Sequence, residues 1–192
     1  LYQMLNHGLS TGALFLLVGM IYERTHTRMI NDFGGLWRPL PFFSACFLVV
    51  TFSSIALPGL NGFIGEFLIL LGAFKTVPFW ATVATTGVML GPIYMLWMFR
   101  RVIFGPTRSQ NQTLQDLNLR EAAILAPILG LIFFMGIYPD PFLRRMKPAV
   151  ELVLHRVESK KTPMSDPRAK GPNAILFKDK HGTQLNSPSS RG

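Results

Sequence analysis

Glu66 is the only acid inside any long apolar run of this sequence. A carboxylate at bilayer depth costs about 2.5–3.5 kcal/mol on insertion scales, so an acid in such a run is a functional candidate by default. Burial disfavours the charged form of a carboxyl, which lets the group take up and release a proton closer to neutral pH. Glu66 also follows shortly after Leu57-Pro58-Gly59-Leu60-Asn61-Gly62, a dense set of helix breakers beside which a cavity can open. Two roles fit it: a proton relay, or a structural acid paired with a group on another helix. The intramembrane position favours the relay.

His7 is the only histidine within such a run, and Gln3, His7, Ser10 and Thr11 recur at i, i+4, i+7 and i+8. That spacing places all four on one helical face. A polar stripe of this kind can hold a chain of ordered water, and imidazole can pass a proton through its two nitrogens. The alternative is interhelical hydrogen bonding, helped by Gly8 and Gly12 at GxxxG spacing. Periodicity leaves both open for His7. Ser53, Ser54 and Asn61 flank the breakers, where they would cap half-helix ends or line a route to Glu66. His26, within Glu23-Arg24-Thr25-His26-Thr27-Arg28, reads as a surface residue of a wet loop.

The elements that must position these residues follow from where charge is missing. The chain has 192 residues, 49% hydrophobic and 15% charged, with a net charge of +9 and a mean hydropathy of +0.31. Soluble domains run to about 25% charged residues. Residues 1–140 carry only 8 Lys/Arg and 6 Asp/Glu, whereas 141–192 carry 11 and 4. This is the composition of a membrane protein with a basic tail. The excess charge lies outside the apolar body, which argues against a nucleic-acid binder, and the lone Cys46 excludes a disulfide scaffold. The sequence carries no phosphate-binding glycine loop, no Cys/His metal spacing and no internal repeat. The chain is already apolar at Leu1, without a basic n-region or cleavage site, so it reads as the C-terminal part of a longer polypeptide.

Charge-free runs predict an all-α, polytopic transmembrane bundle with spans near 1–22, 40–74, 76–99 and 122–139. The run 40–74 would be about 52 Å long as one helix, too long for a hydrocarbon core of about 30 Å, so it is read as a discontinuous helix broken near 58–62. Such a break is tolerated only where protein or a water-filled cavity satisfies the freed backbone groups. Residues 142–158 read as an amphipathic helix, with Val150, Val153, Leu154 and Val157 on one stripe, and 159–192 as a disordered basic tail. The loops 23–39 and 100–121 carry seven Arg, which the positive-inside rule assigns to the cytoplasm. Trp37, Trp80 and Trp97 fall near span ends, as an interfacial belt would place them.

Four strings are specific enough to suggest a family: HGLSTGALF at 7–15, YERTHTR at 22–28, GGLW at 34–37 and LPGLNGFIGEF at 57–67. They resemble the subunit M family of bacterial NADH-quinone oxidoreductase, respiratory complex I, whose mitochondrial counterpart is NADH dehydrogenase subunit 4. The resemblance runs from residue 1 to about 145. It implies the last four spans of a 14-helix antiporter-like subunit, with 40–74 as the broken helix of its second repeat. It implies proton translocation coupled to electron transfer from NADH to quinone, with Glu66 and His7 as relay residues. The first-repeat Glu and Lys and the middle-axis Lys of the family have no counterpart here. No cofactor is implied for this chain: NAD, FMN, iron–sulfur clusters and quinone would belong to other subunits. The implied partners are the other membrane-arm subunits, especially neighbouring antiporter-like ones, and the lipid bilayer, with no nucleic acid. The implied location is the bacterial inner membrane with a periplasmic tail. A multisubunit cation/proton antiporter shares the fold but typically presents Lys where Glu66 stands; a purely structural membrane scaffold is the other alternative.

Overall fold

Breakers and caps cut the chain into helices. The structure is a computed structural model that describes residues 1–106 and 108–161. It contains α1 (Tyr2–Thr25), α2 (Pro41–Ser54), α3 (Asn61–Thr76), α4 (Pro78–Ile103), α5 (Leu119–Ile137) and α6 (Asp140–Lys161), with short 3-10 turns at Ile30–Asp32 and Ser109–Asn111. Among the described residues there is no strand. Pro41 and Pro78 open α2 and α4, where the missing N–H costs nothing and the fixed φ suits a helix. Asn118 and Glu121 start α5 with a reciprocal capping box.

The stretch 40–74 is broken in the middle. At 14 and 16 residues, α2 and α3 are each too short to cross a bilayer alone, at about 21 and 24 Å. Between them the chain turns through two left-handed residues, Ala56 (φ 56°) and Gly59 (φ 95°). Gly59 takes that conformation freely, whereas a residue with a Cβ pays about 1–2 kcal/mol for it. Among the described residues three helices, α1, α4 and α5, are long and apolar enough to cross a membrane.

Helix α1 packs against α2, α3 and α5, and α3 packs against α4 and α5. The shared core joins Leu17 of α1, Val50 of α2, Ile103 of α4 and Ile132 of α5. Phe43, Phe47 and Phe99 stack through it at centroid spacings of 5.9 and 5.7 Å. Lipid tails are as apolar as these side chains, so helix association in a bilayer rests on close packing and hydrogen bonds. Small residues supply the closeness. A Cβ on Gly136 of α5 would collide with the backbone of Gly59 and Leu60 in the break. One on Gly65 of α3 would meet the side chains of Gln3 and Asn6 on α1.

Helix α1 runs three residues past the charge-free stretch that ends at Tyr22, because Arg24 is neutralised rather than solvated. Its guanidinium forms a bidentate pair with Glu121, Nη1 to Oε1 at 2.8 Å and Nη2 to Oε2 at 2.6 Å. It also donates to the carbonyls of Met20 and Gln115. Nearby, Asp116 accepts from the Phe42 and Phe43 amides and so caps α2 from a distant loop. Arg24 therefore belongs to a half-buried latch that ties α1, α5 and the 112–118 loop together, not to a wet loop. His26, by contrast, is exposed.

Residues 1–149 form one unit, and a second begins at Val150. In the second, Val150, Val153, Leu154 and Val157 are exposed. Of the segment expected as a disordered tail, 159–161 belong to α6, and 162–192 lie outside the described residues.

Candidate functional site

Four helices meet around a polar cavity of about 220 Å³. Helix α1 contributes Gln3, His7, Ser10 and Thr11, the face its spacing defined, and the end of α2 contributes Ser53 and Ser54. Glu66 enters from the second turn of α3 and Tyr94 from α4. The cavity thus lies beside the break, and Glu66 and His7 both line it.

Their surroundings differ. Glu66 is half-buried and, among the described residues, has no hydrogen-bond or ion-pair partner. His7 is exposed and meets only Thr11 of its own helix, at 3.4 Å through Nδ1. It makes no interhelical hydrogen bond among the described residues, and Gly8 and Gly12 have nothing packed on them. Two further acceptors, Gln3 Oε1 and Asn6 Oδ1, are buried without a donor among the described residues. Acceptors of this kind suit water or a protonated group.

The floor is a set of buried polar side chains. Asn61 opens α3 and is fully buried, with Asn6, Ser10 and Ser53 buried around it. Asn6 Nδ2 donates to the Asn61 carbonyl at 2.7 Å, and Ser53 Oγ donates to Asn61 Oδ1 at 2.5 Å. Neither Ser53 nor Ser54 caps a half-helix: Ser54 bonds back to the Val50 carbonyl, and the start of α3 carries no side-chain cap. Asn6 stands three residues after Gln3 and four before Ser10 and so shares their helical face, a signal that the lone histidine beside it overshadows. Tyr94 was hidden in an unbroken apolar run, where only its hydroxyl sets it apart.

Comparison with known proteins adds a family to this geometry. Residues 1–91 match the family model described as NADH:quinone oxidoreductase/Mrp antiporter, TM. NADH-quinone oxidoreductase subunit M of Rhodobacter capsulatus is 43% identical over 151 residues, covering 78% of this chain and 30% of the relative. NADH-ubiquinone oxidoreductase chain 4 of Marchantia polymorpha is 46% identical over 155 residues, covering 79% and 31%. A solved structure, respiratory complex I from Thermus thermophilus with bound NADH, contains a chain that matches with a TM-score of 0.73 and 35% identity, over 77% of this chain and 31% of that one.

The chain belongs to the subunit M/chain 4 family. It spans about a third of the length of these relatives. The fold is that of the family's antiporter-like transmembrane region, all-helical with one discontinuous helix, as the sequence predicts. Family membership and the apolar helices together give the chain a membrane location.

Proposed function

We propose that this chain is part of a membrane subunit of NADH:quinone oxidoreductase and takes part in proton translocation coupled to electron transfer from NADH to quinone. Glu66 and His7 are its relay residues. The observation that carries the reading is the cavity at the helix break, lined by both residues, in which Glu66 has no partner among the described residues. A carboxyl fixed by a salt bridge is held in one protonation state, whereas one that opens on a polar cavity can alternate. The free acceptors of Gln3 and Asn6 extend the polar lining toward α1. Redox chemistry, with NAD, FMN, iron–sulfur clusters and quinone, belongs to other subunits in this reading, and the neighbouring membrane subunits and lipid are the partners. The membrane is the bacterial inner membrane, and the tail 159–192, of which 162–192 lie outside the described residues, is periplasmic in this reading.

A subunit of a cation/proton antiporter is the second reading, because the matching family description names both systems. The relatives named as oxidoreductase subunits, together with an acid rather than a lysine at position 66, favour the first.

The test uses the full-length subunit in its assembled complex. Glu66→Gln keeps shape and hydrogen bonding but cannot titrate, and Glu66→Asp keeps the titrating group but retracts it by one methylene. A relay predicts that both variants assemble, that Gln loses most quinone reduction and proton pumping, and that Asp keeps part of each. General acid–base steps contribute about 10²–10⁴-fold, which sets the scale of the Gln loss. A fully active Gln variant would remove Glu66 from the relay.

A further inference from the structure

Below the cavity the buried hydroxyls and amides close into a ring. Ser53 Oγ spends its proton on Asn61 Oδ1, which can only accept. Ser10 Oγ, 2.5 Å from Ser53 Oγ, must therefore be the donor of that contact. Asn61 Nδ2 in turn donates to Ser10 Oγ at 3.4 Å and to the Asn6 carbonyl at 3.3 Å. Every proton in the cycle Asn61–Ser10–Ser53 runs the same way round, an arrangement in which hydrogen bonds polarise one another. All three residues are at most 4% exposed, so a broken bond in the ring leaves a polar atom with no water to replace its partner.

The ring joins one residue from each element that lines the cavity floor: Ser10 from α1, Ser53 from the end of α2, and Asn61 from the start of α3. His7 lies three residues before Ser10, about 4.5 Å along the axis, and Glu66 five residues after Asn61, about 7.5 Å. At a helix break the two halves lack the continuous backbone ladder that would otherwise fix their relative rotation. Something else must set which way α3 presents Glu66. The absence of a Cβ at Gly62 and Gly65 lets α3 approach Ser53 and Asn6 closely enough for the ring to close.

We propose that Asn61, through this ring with Ser10 and Ser53, is a positioning residue that sets Glu66 and His7 across the cavity from one another. The inference rests on the relay reading of Glu66. The ring moves no proton itself; it fixes the geometry in which the relay residues exchange one, and misplacement by about 1 Å can cost on the order of 10²-fold in rate.

The test is made in the full-length subunit within its complex. Ser53→Ala removes one hydroxyl without opening a large void. The expected result is normal assembly on a native gel, NADH-to-quinone turnover and pumping lowered about tenfold, and a quinone KM within about twofold of wild type. In a Glu66→Asp background, where the carboxyl is already retracted, adding Ser53→Ala should cost less than about twofold more, since coupled residues do not add. Wild-type turnover in Ser53→Ala, or the full tenfold loss repeated on Glu66→Asp, would overturn the proposal. If Ser53→Ala does not assemble, Ser10→Ala breaks a different edge of the ring and is read in the same way. Failure of both to assemble would make the ring a scaffold of the fold and also overturn the proposal. An active Glu66→Gln variant would sink the relay and the positioning role together, whereas an inactive Glu66→Gln beside a normal Ser53→Ala would sink the positioning role alone.

Discussion

At the scale of single residues, two acids of the helical body differ in what faces them: Glu121 is paired with Arg24, whereas Glu66 lines a cavity. Arg24 and Glu121 are 97 positions apart in sequence, and their side chains are only 17% and 11% exposed in the bidentate pair. Removing one partner of a fully buried pair costs about 3–5 kcal/mol, and this half-buried one costs less because water still reaches the stranded charge. Arg24→Lys is not a mild change either: an ammonium cannot hold both carboxylate oxygens and the loop carbonyls with a planar fork. We expect Glu121→Ala to reduce the amount of assembled complex severalfold on a native gel and Arg24→Lys to reduce it less, with turnover per assembled complex unchanged in both. A selective loss of turnover at normal assembly would show that the latch acts on the chemistry instead. This pair was not legible in the sequence. Both residues sit at the ends of apolar runs, where an Arg reads as a cytoplasmic anchor and a Glu as the start of a helix, and no periodicity links positions so far apart. Glu66 and His7 stood out for the opposite reason, since each is alone of its type inside an apolar run.

At the scale of elements, the break between α2 and α3 governs the fold. Its position is readable from Pro58, which lacks an N–H, and from Gly59, whose φ of 95° suits glycine. Its neighbours are not readable. Gly136 lies in an ordinary apolar helix, and only the folded chain reveals that α5 passes against the backbone of Gly59 and Leu60 there. Overpacking a tight contact costs about 1–3 kcal/mol, and here the obstacle is backbone, which cannot swing aside. Gly136→Ala should therefore lower the midpoint of thermal inactivation of the complex, whereas Gly130→Ala, on the same helix with open space around it, should leave it unchanged. Equal midpoints for the two variants would mean that α5 does not lean on the break. Helix α6 starts at Asp140, two residues before the expected 142, with Pro141 in its first turn as Pro41 and Pro78 are in theirs.

At the scale of the whole molecule, the chain presents unfinished surfaces. Helix α4 exposes Phe79, Trp80, Met89, Leu90 and Ile93 along its length, and His7 and Tyr94 at the cavity are exposed as well. A bilayer covers apolar faces, but a cavity that carries protons needs walls that keep lipid and bulk ions out. The relatives are about three times longer than the matched region, so the protonation of Glu66 has to be read in the full complex. Infrared difference spectroscopy, NADH-reduced minus oxidised, on vesicles containing the complex observes the protonated carboxyl directly through its C=O stretch. The account predicts a carboxyl band that changes with reduction, shifts to lower frequency in D₂O and vanishes in Glu66→Gln. Identical carboxyl regions in wild type and Glu66→Gln would contradict it, because Glu66 would then hold one protonation state throughout turnover.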